Sequence, residues 1–562
     1  MEDNLRNILL VFALQNAVKH SSLPKPGTVI GMVMGKHPEF RSRAREVSAL
    51  LDEVLSQVAA LSPAEREQQL RALAPDVAED MSRPKVHVKE LPGLEKADHG
   101  VVMRFAPNPS GPLHLGHARA AVLNDAYVKR YGGKYILRIE DTDPKRVDPE
   151  AYGMVIRDIE WLGITVHEVV YQSDRFDRYY RYGKELIERG GAYVCTCENE
   201  QFRQLKQKKT ACPCRSLSVE ENLSLFDKML AGEFYEGEAS VRVRTDLDHP
   251  DPAMRDFPAF RILHQPLHPR IDAVVYPLMN FTVAVDDHLL GVTHVIRGKD
   301  HIANTRRQRY IFDYFGWDVP VYRHYGRMGI EGVVLSTSQM RQGIASGEYE
   351  GWDDIRLGTL RALSRRGISP EAVRQAVLDI GIGETDISFS WDNLYAQNRM
   401  IVDPVANRYF FVPHPVGAAI RDAPHHVARA LLHPNEPERG TRVLQFTGTV
   451  LLPRQELEKH PSLIRLKDLF NVKVSYDERG YLFTYAGDQL SEAREAKAPI
   501  IQWLPADCAL PCVLRTPEGD VEGVCETGVM REAGSVLQFE RVGFARIDDT
   551  TGDRITAYFT HR

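Results

Sequence analysis

The sequence predicts a multidomain protein that combines α/β and all-β folds, and changes of pattern along the chain predict this. Short β-rich runs alternate with helical stretches from Val101 onward, as in a doubly wound parallel sheet. From about Met400 the pattern becomes strongly β, which antiparallel barrels explain best. Ahead of both regions, apolar residues recur at helical spacing through Leu5, Leu9 and Phe12 and predict a helical N-terminal domain. With 562 residues, the chain has room for about three to five domains.

Composition excludes some classes of protein. Hydrophobic residues make up 43% of the chain and charged residues 26%, and the formal net charge is −6. That charge argues against indiscriminate coating of nucleic acid, so any RNA site must be local. No apolar run approaches the roughly 18 to 20 residues of a membrane span, and the start lacks the features of a secretory signal. We therefore expect a cytoplasmic protein with no membrane partner.

Residues 1–80 form the predicted helical appendage, and residues 81–99, which are mixed in charge and contain Pro84 and Pro92, are typical of a linker. A basic cluster lies within the appendage. It consists of Lys19-His20-Ser21-Ser22-Leu23-Pro24-Lys25-Pro26-Gly27 with Lys36, Arg41, Arg43 and Arg45. Two interpretations of the cluster remain open, a solvated helical face and an auxiliary contact with an RNA backbone.

The most informative segment runs from Arg104 to His117. An apolar run that ends near Met103 reads as a strand, prolines and a glycine interrupt it, and a helical pattern begins at Gly116. His114 and His117 therefore lie where a strand passes into a helix. Because a helix N-terminus carries unpaired N–H groups and a partial positive charge, imidazole donors at this place indicate a site for phosphate oxygens.

Acidic residues follow the next predicted strand, Tyr135–Ile139. The turn Glu140-Asp141-Thr142-Asp143 lies at its carboxyl end, where ligands bind in open α/β sheets. Capping of the following helix is the alternative interpretation of these carboxylates.

Two later runs, Tyr276–His288 and Gly291–His301, are each predicted to join a strand to polar residues beside the first half of the site. Asp287 and His288 suggest either a proton relay or structural hydrogen bonds. Arg297 is more informative, because an arginine at a strand end can form a two-pronged contact with a carboxylate.

Residues 190–272 interrupt the α/β pattern and predict an insertion. Two Cys-x-Cys pairs, Cys195 with Cys197 and Cys212 with Cys214, suit a tetrahedral zinc ion that would fold a small knuckle. Disulfide bonds are the alternative, which a reducing compartment disfavours. Cations surround the pairs and either face a phosphate backbone or only solvent. They are Arg203, Lys206, Lys208, Lys209 and Arg215.

The segment from Arg104 to His117 closely resembles the ATP-binding signature of class I aminoacyl-tRNA synthetases, and the chain as a whole resembles the archaeal-type glutamyl-tRNA synthetases. The resemblance implies a Rossmann-like catalytic domain, split into residues 100–189 and 273–345 around an insertion that binds the acceptor end of tRNA. It also implies a helical connecting domain over residues 346–400 and anticodon-binding β-barrels over residues 401–562.

The resemblance also implies roles for single residues. The ATP-binding residues implied are Pro107, Ser110, Gly111, His114, Gly116, His117, Leu335, Ser336 and Ser338. The glutamate-binding residues implied are Arg104, Ala106, Asn108, Glu140 and Arg297, with Asn280 added because Met279 replaces a tyrosine that is frequent in the family. In this scheme Glu140 faces the α-amino group, and the two arginines meet the side-chain carboxylate.

The second ATP signature is incomplete. Leu335-Ser336-Thr337-Ser338 resembles the archaeal form of the family's signature loop, but Thr337 and Gln339 occupy positions at which relatives carry lysine. Stabilisation of the pyrophosphate charge requires cations. Arg341 and Arg327 are the nearest candidates, and the predicted catalytic set is therefore His114, His117, Ser336 and Arg341.

The implied reaction uses ATP and Mg²⁺ to join L-glutamate to tRNA(Glu) through glutamyl-adenylate, with zinc in a structural role. Glutaminyl-tRNA synthetases are the near alternative, but their signatures usually have Pro-Pro-Glu in place of Ala106-Pro107-Asn108 and Asp-Asp-Thr-Asn in place of Glu140–Asp143. The loss of the loop lysines leaves a second alternative, a non-catalytic tRNA-binding paralogue. Whether tRNA(Gln) is also charged stays open.

Overall fold

The computed structural model describes residues 2–20, 23–75, 77, 90–478, 480–550 and 554–562. The chain forms two compact units, Met1–Val88 and Lys89–Arg562. Of the predicted linker, residues 81–89 lie outside the described residues. Ser21 and Ser22 of the basic cluster also lie outside them, together with the side chains of Lys19, His20, Arg41 and Arg45.

The first unit is helical, as predicted. Its helices are α1 Glu2–His20, α2 Pro26–Lys36, α3 Ala44–Ala60 and α4 Pro63–Leu73, with a 3-10 turn at Pro38–Arg43. The apolar periodicity places Leu5, Leu9, Val47 and Leu51 in one buried core. Ser62 caps α4 by accepting a hydrogen bond from Glu65 N, while the Glu65 side chain accepts one from Ser62 N.

The second unit begins with mixed helices and strands. The strands are β1 Val101–Phe105, β2 Gly133–Ile139, β3 Glu168–Tyr171, β4 Ala192–Cys195, β5 Ser240–Val243, β6 Pro258–Ile262, β7 Val275–Pro277, β8 His294–Gly298, β9 Val321–Tyr325, β10 Met328–Gly329 and β11 Ile387–Ser388. The helices are α5 Leu115–Tyr131, α6 Ala151–Trp161, α7 Phe176–Glu188, α8 Asn199–Gln207, α9 Val219–Leu230, α10 Met279–Leu289, α11 Ile302–Phe315, α12 Thr337–Ser346, α13 Leu360–Arg365, α14 Pro370–Ile380 and α15 Trp391–Val402. Short 3-10 turns lie at Pro144–Arg146, Gln172–Arg175, Pro213–Ser216, Pro252–Met254 and Lys299–His301.

Parallel strands form the framework of this part. β1 pairs with β2 and β2 with β3, and β8 pairs with β9, all in parallel. Thr293 N, directly before β8, donates to Val102 O over 2.9 Å, which places β8 beside β1. The strand that follows β1 in the chain, β2, therefore lies on one side of β1, and β8 lies on its other side. Such a reversal opens a crevice at the carboxyl ends of the strands.

Between β3 and β8 the chain forms an antiparallel sheet in the order β4-β5-β6-β7. The run before Asp287 and His288, which the sequence predicted to be a strand, is instead helix α10 apart from the short strand β7. That prediction was wrong because α10 is buried on nearly all sides, and a continuous apolar run does not distinguish a buried helix from a strand.

The remainder of the chain is rich in strands. They are β12 Arg408–Tyr409, β13 Phe411–Pro413, β14 Pro415–Arg421, β15 His426–Leu431, β16 Thr441–Phe446, β17 Thr449–Pro453, β18 Leu463–Leu466, β19 Asn471–Asp477, β20 Gly480–Tyr485, β21 Ile500–Ile501, β22 Leu504–Pro505, β23 Ala509–Thr516, β24 Gly519–Glu526, β25 Val536–Phe539, β26 Gly543–Asp549 and β27 Ile555–His561. The short helices α16 Arg454–Leu457 and α17 Leu490–Glu495, and 3-10 turns at Pro437–Arg439 and Thr527–Glu532, connect them.

Fourteen of these strands form two barrel-like sheets, and β15 and β16 pair with each other in a separate antiparallel two-stranded sheet. The first sheet has the order β12-β25-β26-β27-β23-β24-β13, and because only Phe410 separates β12 from β13, its two edges must meet. The second has the order β21-β18-β19-β20-β14-β17-β22, and its edge strands β21 and β22 are likewise separated by only two residues, Gln502 and Trp503. The predicted combination of α/β and all-β regions is therefore confirmed.

The prediction of antiparallel barrels was wrong in part. Four pairs are parallel, β12 with β25, β14 with β20, β18 with β21 and β23 with β27. Each of these pairs joins strands that are distant along the chain, and hairpin connections, which impose antiparallel pairing, do not link them.

We expect Trp503→Ala to destabilise the second barrel by about 3–5 kcal/mol. Trp503 is fully buried where the sheet edges meet, and its Nε1 donates to Lys467 O over 2.9 Å. The measurement is denaturant-induced unfolding followed by circular dichroism. Leu490→Ala, at a side chain that is 37% exposed, is the control. Equal losses in the two variants would contradict the expected closure at Trp503.

Candidate functional site

A cavity of about 870 Å³ lies at the carboxyl ends of β1, β2 and β8. Many residues that the sequence predicted for the site line it. They are Arg104, Ala106, Pro107, Asn108, His114, Gly116, His117, Glu140 and Arg297. Other predicted residues do not line the cavity, namely Ser110, Gly111, Asn280, Leu335, Ser336, Ser338 and Arg341. The parallel sheet thus brings the first signature, the acidic turn and Arg297 to one crevice.

A buried cluster of charges forms one wall of the cavity. Asp287 Oδ1 accepts hydrogen bonds from Arg104 Nε over 3.2 Å and from Arg138 Nη1 over 2.6 Å. Arg138 Nη2 also donates to Glu140 Oε1 over 3.0 Å. Burial alone would raise the pKa of Asp287, but the two arginines hold it below its ordinary value. Two cations and two carboxylates thus balance each other, and Asp287 has a structural role.

Burial raises the pKa of the Glu140 carboxyl, while Arg138 and Arg104 oppose that rise. Its Oε1 faces the guanidinium of Arg138, and the residue also lines the cavity. A partly desolvated carboxylate in this position can accept hydrogen bonds from a ligand ammonium group.

Arg297, at the end of β8, differs from this balanced cluster. Its Nη2 donates to Thr305 Oγ1 over 2.6 Å and to Gln308 Oε1 over 2.8 Å, and both acceptors are neutral. The guanidinium lies 5.1 Å from the centre of the Tyr322 ring, and Nε is buried without a partner. Within the described part of the chain no carboxylate forms an ion pair with Arg297. Burial, followed by the charge of Arg104, lowers its pKa to about 10, so the site favours an anionic ligand.

The two histidines of the first signature form the N-terminus of α5. Gly116 N donates to His114 Nδ1 over 3.0 Å, and His114 N donates to His117 Nδ1 over 3.3 Å. Their rings stack with centroids 3.8 Å apart. Burial lowers the pKa of His114 to about 4 and that of His117 well below its ordinary value. A neutral imidazole that accepts at Nδ1 carries its proton at Nε2, so each ring retains one N–H donor.

Glycine is required at position 116 for this arrangement. A Cβ atom on Gly116 would lie 2.8 Å from His114 Cε1 and 3.0 Å from His114 Nδ1. Because such contacts are shorter than side chains tolerate, any larger residue would displace the ring that caps the helix.

The segment Leu357–Leu360 connects the two signatures. Leu115 N donates to Gly358 O over 3.1 Å, and Leu360 N donates to Leu113 O over 2.9 Å. On the other side of this segment, Gly358 N donates to Val334 O over 3.3 Å. The first signature and the second loop are therefore neighbours in one hydrogen-bonded layer.

The contact between the loops is close. A Cβ atom on Gly111 would lie 2.7 Å from Thr337 Cγ2, so only glycine allows this approach. Arg341 Nη2 donates to Ser110 O over 2.5 Å and lies 3.0 Å from Asp148 Oδ2. The guanidinium of Arg341 thus binds the first signature loop.

Ser336 caps α12 by accepting a hydrogen bond from Gln339 N over 3.5 Å, and Ser338 lies in the first turn of that helix. Of the two arginines that the sequence suggested as replacements for the missing lysines, Arg327 lines the cavity and Arg341 does not. Asn280 also lies behind the cavity wall, where its Oδ1 accepts from Gln308 Nε2 over 3.5 Å. Its neighbour Met279 lines the cavity.

The four cysteines of the insertion meet in a second cluster, between β4 and the turn Pro213–Ser216. Their sulfur atoms lie within 4.8 Å of one another, with Cys195 Sγ 4.0 Å from Cys212 Sγ and Cys197 Sγ 3.6 Å from Cys214 Sγ. Four sulfurs at about 2.3 Å around a zinc ion would be about 3.8 Å apart. All four cysteines are free, so the alternative of disulfide bonds was wrong.

Comparison with known proteins identifies the family. The family described as class I tRNA synthetases (E and Q), catalytic domain, matches residues 100–404. The chain belongs to this family. The anticodon-binding domains of the same synthetases match residues 406–482 and 500–548, that is, parts of both barrel-like sheets.

Similar synthetases cover the whole chain. The glutamate–tRNA ligase of Methanoculleus marisnigri is 64% identical over 562 residues, which is all of both chains. Those of Methanospirillum hungatei and Pyrococcus abyssi are 62% and 48% identical, and each match covers at least 99% of both chains. Among the described residues of this synthetase, no helix is long and apolar enough to cross a membrane.

Sequence reasoning missed several residues that support the site of this synthetase. Arg138 carries a charge inside the buried strand β2, and a charged residue in a predicted apolar strand was an available signal. Asp158 Oδ2 accepts from Leu113 N over 2.7 Å, directly before His114. Gln308 lies in α11 behind Arg297, and no feature of the sequence pattern distinguishes it.

We expect His114→Asn to make the synthetase less sensitive to acid. Because the folded-state pKa of His114 is about 4 against an ordinary 6.5, the unfolded chain binds the proton more strongly, and stability is lost as pH falls from 6.5 toward 4. At pH 5 this loss is about 2 kcal/mol. Asparagine keeps an acceptor for the helix cap but does not titrate.

The measurement is the fall in melting temperature between pH 7.5 and 5.0, which should be smaller in His114→Asn than in the wild type. His425→Asn, at an exposed position, should leave the fall unchanged. An unchanged acid sensitivity in His114→Asn would show that the imidazole is protonated as readily in the folded chain as in the unfolded one.

Proposed function

We propose that this protein joins L-glutamate to tRNA(Glu) with the consumption of ATP. The observation that carries the proposal is Arg297, a buried guanidinium held only by neutral acceptors at the end of the crevice. A neutral glutamine side chain would leave this cation without a counter-charge, whereas the carboxylate of glutamate supplies one. Full-length relatives at 64% and 62% identity, both glutamate–tRNA ligases, support the same reaction.

The reaction has two steps. The α-carboxylate of glutamate attacks the α-phosphorus of ATP, a bond from carboxylate oxygen to phosphorus forms, and pyrophosphate leaves. A terminal hydroxyl of the tRNA then attacks the acyl carbon, and AMP leaves. Both steps need orientation and charge stabilisation rather than a covalent protein nucleophile.

The first signature binds ATP in this proposal. His114 and His117, both neutral, donate from Nε2 to phosphate oxygens at the N-terminus of α5. Pro107, Ser110, Gly111 and Gly116 shape the loop around the nucleotide, and Leu335, Ser336 and Ser338 approach it from the second loop. Mg²⁺ would supply further positive charge when it enters with the phosphates.

Arg327 is the cation best placed to replace the missing loop lysines, because it lines the cavity. Arg341 acts through the contact that it makes with the first loop, where it holds Ser110 O. The ATP site therefore depends on two loops that remain in contact.

The amino acid lies on the other side of the crevice. Arg297 and Arg104 bind the side-chain carboxylate, and Glu140 accepts from the α-amino group. Ala106 and Asn108 line the cavity beside the main-chain atoms of the amino acid. Asn280 contributes to this site indirectly, through its hydrogen bond with Gln308.

The remaining parts of the chain bind tRNA in this proposal. Residues 100–189 and 273–345 are the two halves of a Rossmann-like catalytic domain, and residues 190–272 form the insertion that holds the acceptor end. Residues 346–400 connect this domain to the anticodon-binding barrels of residues 401–562, and residues 1–80 are an appendage.

A zinc ion bound by Cys195, Cys197, Cys212 and Cys214 would give the insertion a fixed shape. The sulfur distances suit tetrahedral coordination. Tyr193 packs behind the cluster, with its hydroxyl oxygen 3.6 Å from Cys212 Sγ.

We expect about one zinc ion per chain in the purified protein, because four converging thiolates bind zinc tightly. The double variant Cys212→Ser, Cys214→Ser should lose the metal, measured by elemental analysis, and its insertion should be cleaved faster by trypsin. Cys508→Ser, which removes an exposed cysteine elsewhere, should keep both properties. Full zinc occupancy in the double variant would refute the assignment.

The reaction is tested by exchange between ATP and pyrophosphate in the presence of tRNA. We expect exchange with glutamate and not with glutamine. Arg297→Ala should raise the KM for glutamate by roughly 10- to 100-fold, because it removes a charge-assisted contact, and should leave the KM for ATP nearly unchanged. Exchange with glutamine alone would favour the glutaminyl alternative, and tRNA binding without any exchange would favour the non-catalytic paralogue.

A further inference from the structure

The charges around the cavity divide into a compensated and an uncompensated part. Arg104 and Arg138 share Asp287 and Glu140, so two positive charges face two negative ones. Arg297 lies outside this balance and has no ionic partner among the described residues. Its anchors are the hydroxyl of Thr305 and the amide of Gln308.

Gln308 is fully buried in α11, and its orientation is determined by its two neighbours. The guanidinium of Arg297 can only donate, so the side-chain oxygen of Gln308 must face it, at 2.8 Å. The amide nitrogen then faces Asn280 Oδ1, at 3.5 Å. The amide is therefore held from both sides and cannot rotate without losing both contacts.

A carboxylate at position 308 would have nearly the same size and could accept the same hydrogen bond. It would, however, form a buried ion pair with Arg297 and cancel the charge that a ligand carboxylate requires. Asp287 already neutralises part of the charge of Arg104 through its contact with Nε, which leaves Arg297 as the cation without an ionic partner among the described residues. A neutral acceptor at position 308 thus has an electrostatic consequence beyond holding the arginine in place.

We propose that Gln308 is a positioning residue that determines substrate charge preference, because it fixes Arg297 with a neutral amide and leaves the guanidinium charge for the side-chain carboxylate of the amino acid. This inference rests on the proposed glutamate reaction. It concerns only how strongly the site prefers an anionic side chain over a neutral one.

The test compares Gln308→Glu with Gln308→Met in the full-length protein. We expect Gln308→Glu to raise the KM for glutamate on the order of 30-fold, with the KM for ATP within about threefold of wild type. Its preference for glutamate over glutamine, as a ratio of kcat/KM values, should fall by a similar factor. Gln308→Met, which removes the acceptor without adding a charge, should have the smaller effect.

A purely anchoring role for Gln308 predicts the opposite order, because glutamate still accepts the hydrogen bond and methionine does not. Equal KM values in wild type and Gln308→Glu, or a larger KM in Gln308→Met, would overturn the inference. If no amino acid supports exchange between ATP and pyrophosphate in the wild type, the proposed function fails instead. The two failures are therefore distinguishable.

A second pair of variants keeps the test decisive if Gln308→Glu does not fold. Thr305 Oγ1 also accepts from Arg297, over 2.6 Å, so Thr305→Asp and Thr305→Asn differ in charge but not in size. We expect the KM for glutamate to be at least about tenfold higher in Thr305→Asp than in Thr305→Asn. Equal values would again contradict the inference.

Discussion

The architecture of the site depends on one buried carboxylate. Asp287 lies in α10, and through Oδ1 it binds Arg104 of β1 and Arg138 of β2, which are 183 and 149 residues away along the chain. The contact joins the two halves of the parallel sheet on either side of the inserted antiparallel sheet. Removal of one partner would leave a buried charge without compensation, which costs far more than a surface pair contributes. The crevice can therefore form only when both halves are folded.

On this compensated base, the two ends of the cavity have different electrostatic properties. At the end that we propose for the nucleotide, the histidines are neutral, because burial lowers the pKa of both rings, and they offer fixed N–H donors beside a helix N-terminus. At the end that we propose for the amino acid, Arg297 has no ionic partner among the described residues. The site thus provides oriented dipoles for phosphate oxygens and one net cation for a carboxylate, and the two requirements do not compete for the same groups.

Contacts between loops extend this arrangement beyond the crevice. The segment Leu357–Leu360 binds the first signature along one edge and the second loop along the other, and Gly111 permits the loops to approach each other directly. Farther along the chain, Lys467, directly after β18, forms an ion pair with Glu540, directly after β25, and so connects the two barrel-like sheets. Arg442 of β16 forms ion pairs with Glu526 and Glu540 and connects the separate pair β15 and β16 to the first of these sheets. Movement of the first signature loop relative to the second loop would break the backbone hydrogen bonds that each of them makes with Leu357–Leu360.

Local patterns in the sequence determined the parts of the protein that depend on near neighbours: the strand, turn and helix around His114 and His117, the two cysteine pairs, the helical start and the β-rich end. The tertiary structure alone decided which groups compensate one another. It showed that α10 is a helix, that some barrel strands pair in parallel, that the cysteines are free, and that the side-chain acceptors of Arg297 are both neutral. These properties depend on burial and on contacts between separate elements of the fold, whereas a sequence pattern reports mainly the periodicity of adjacent side chains.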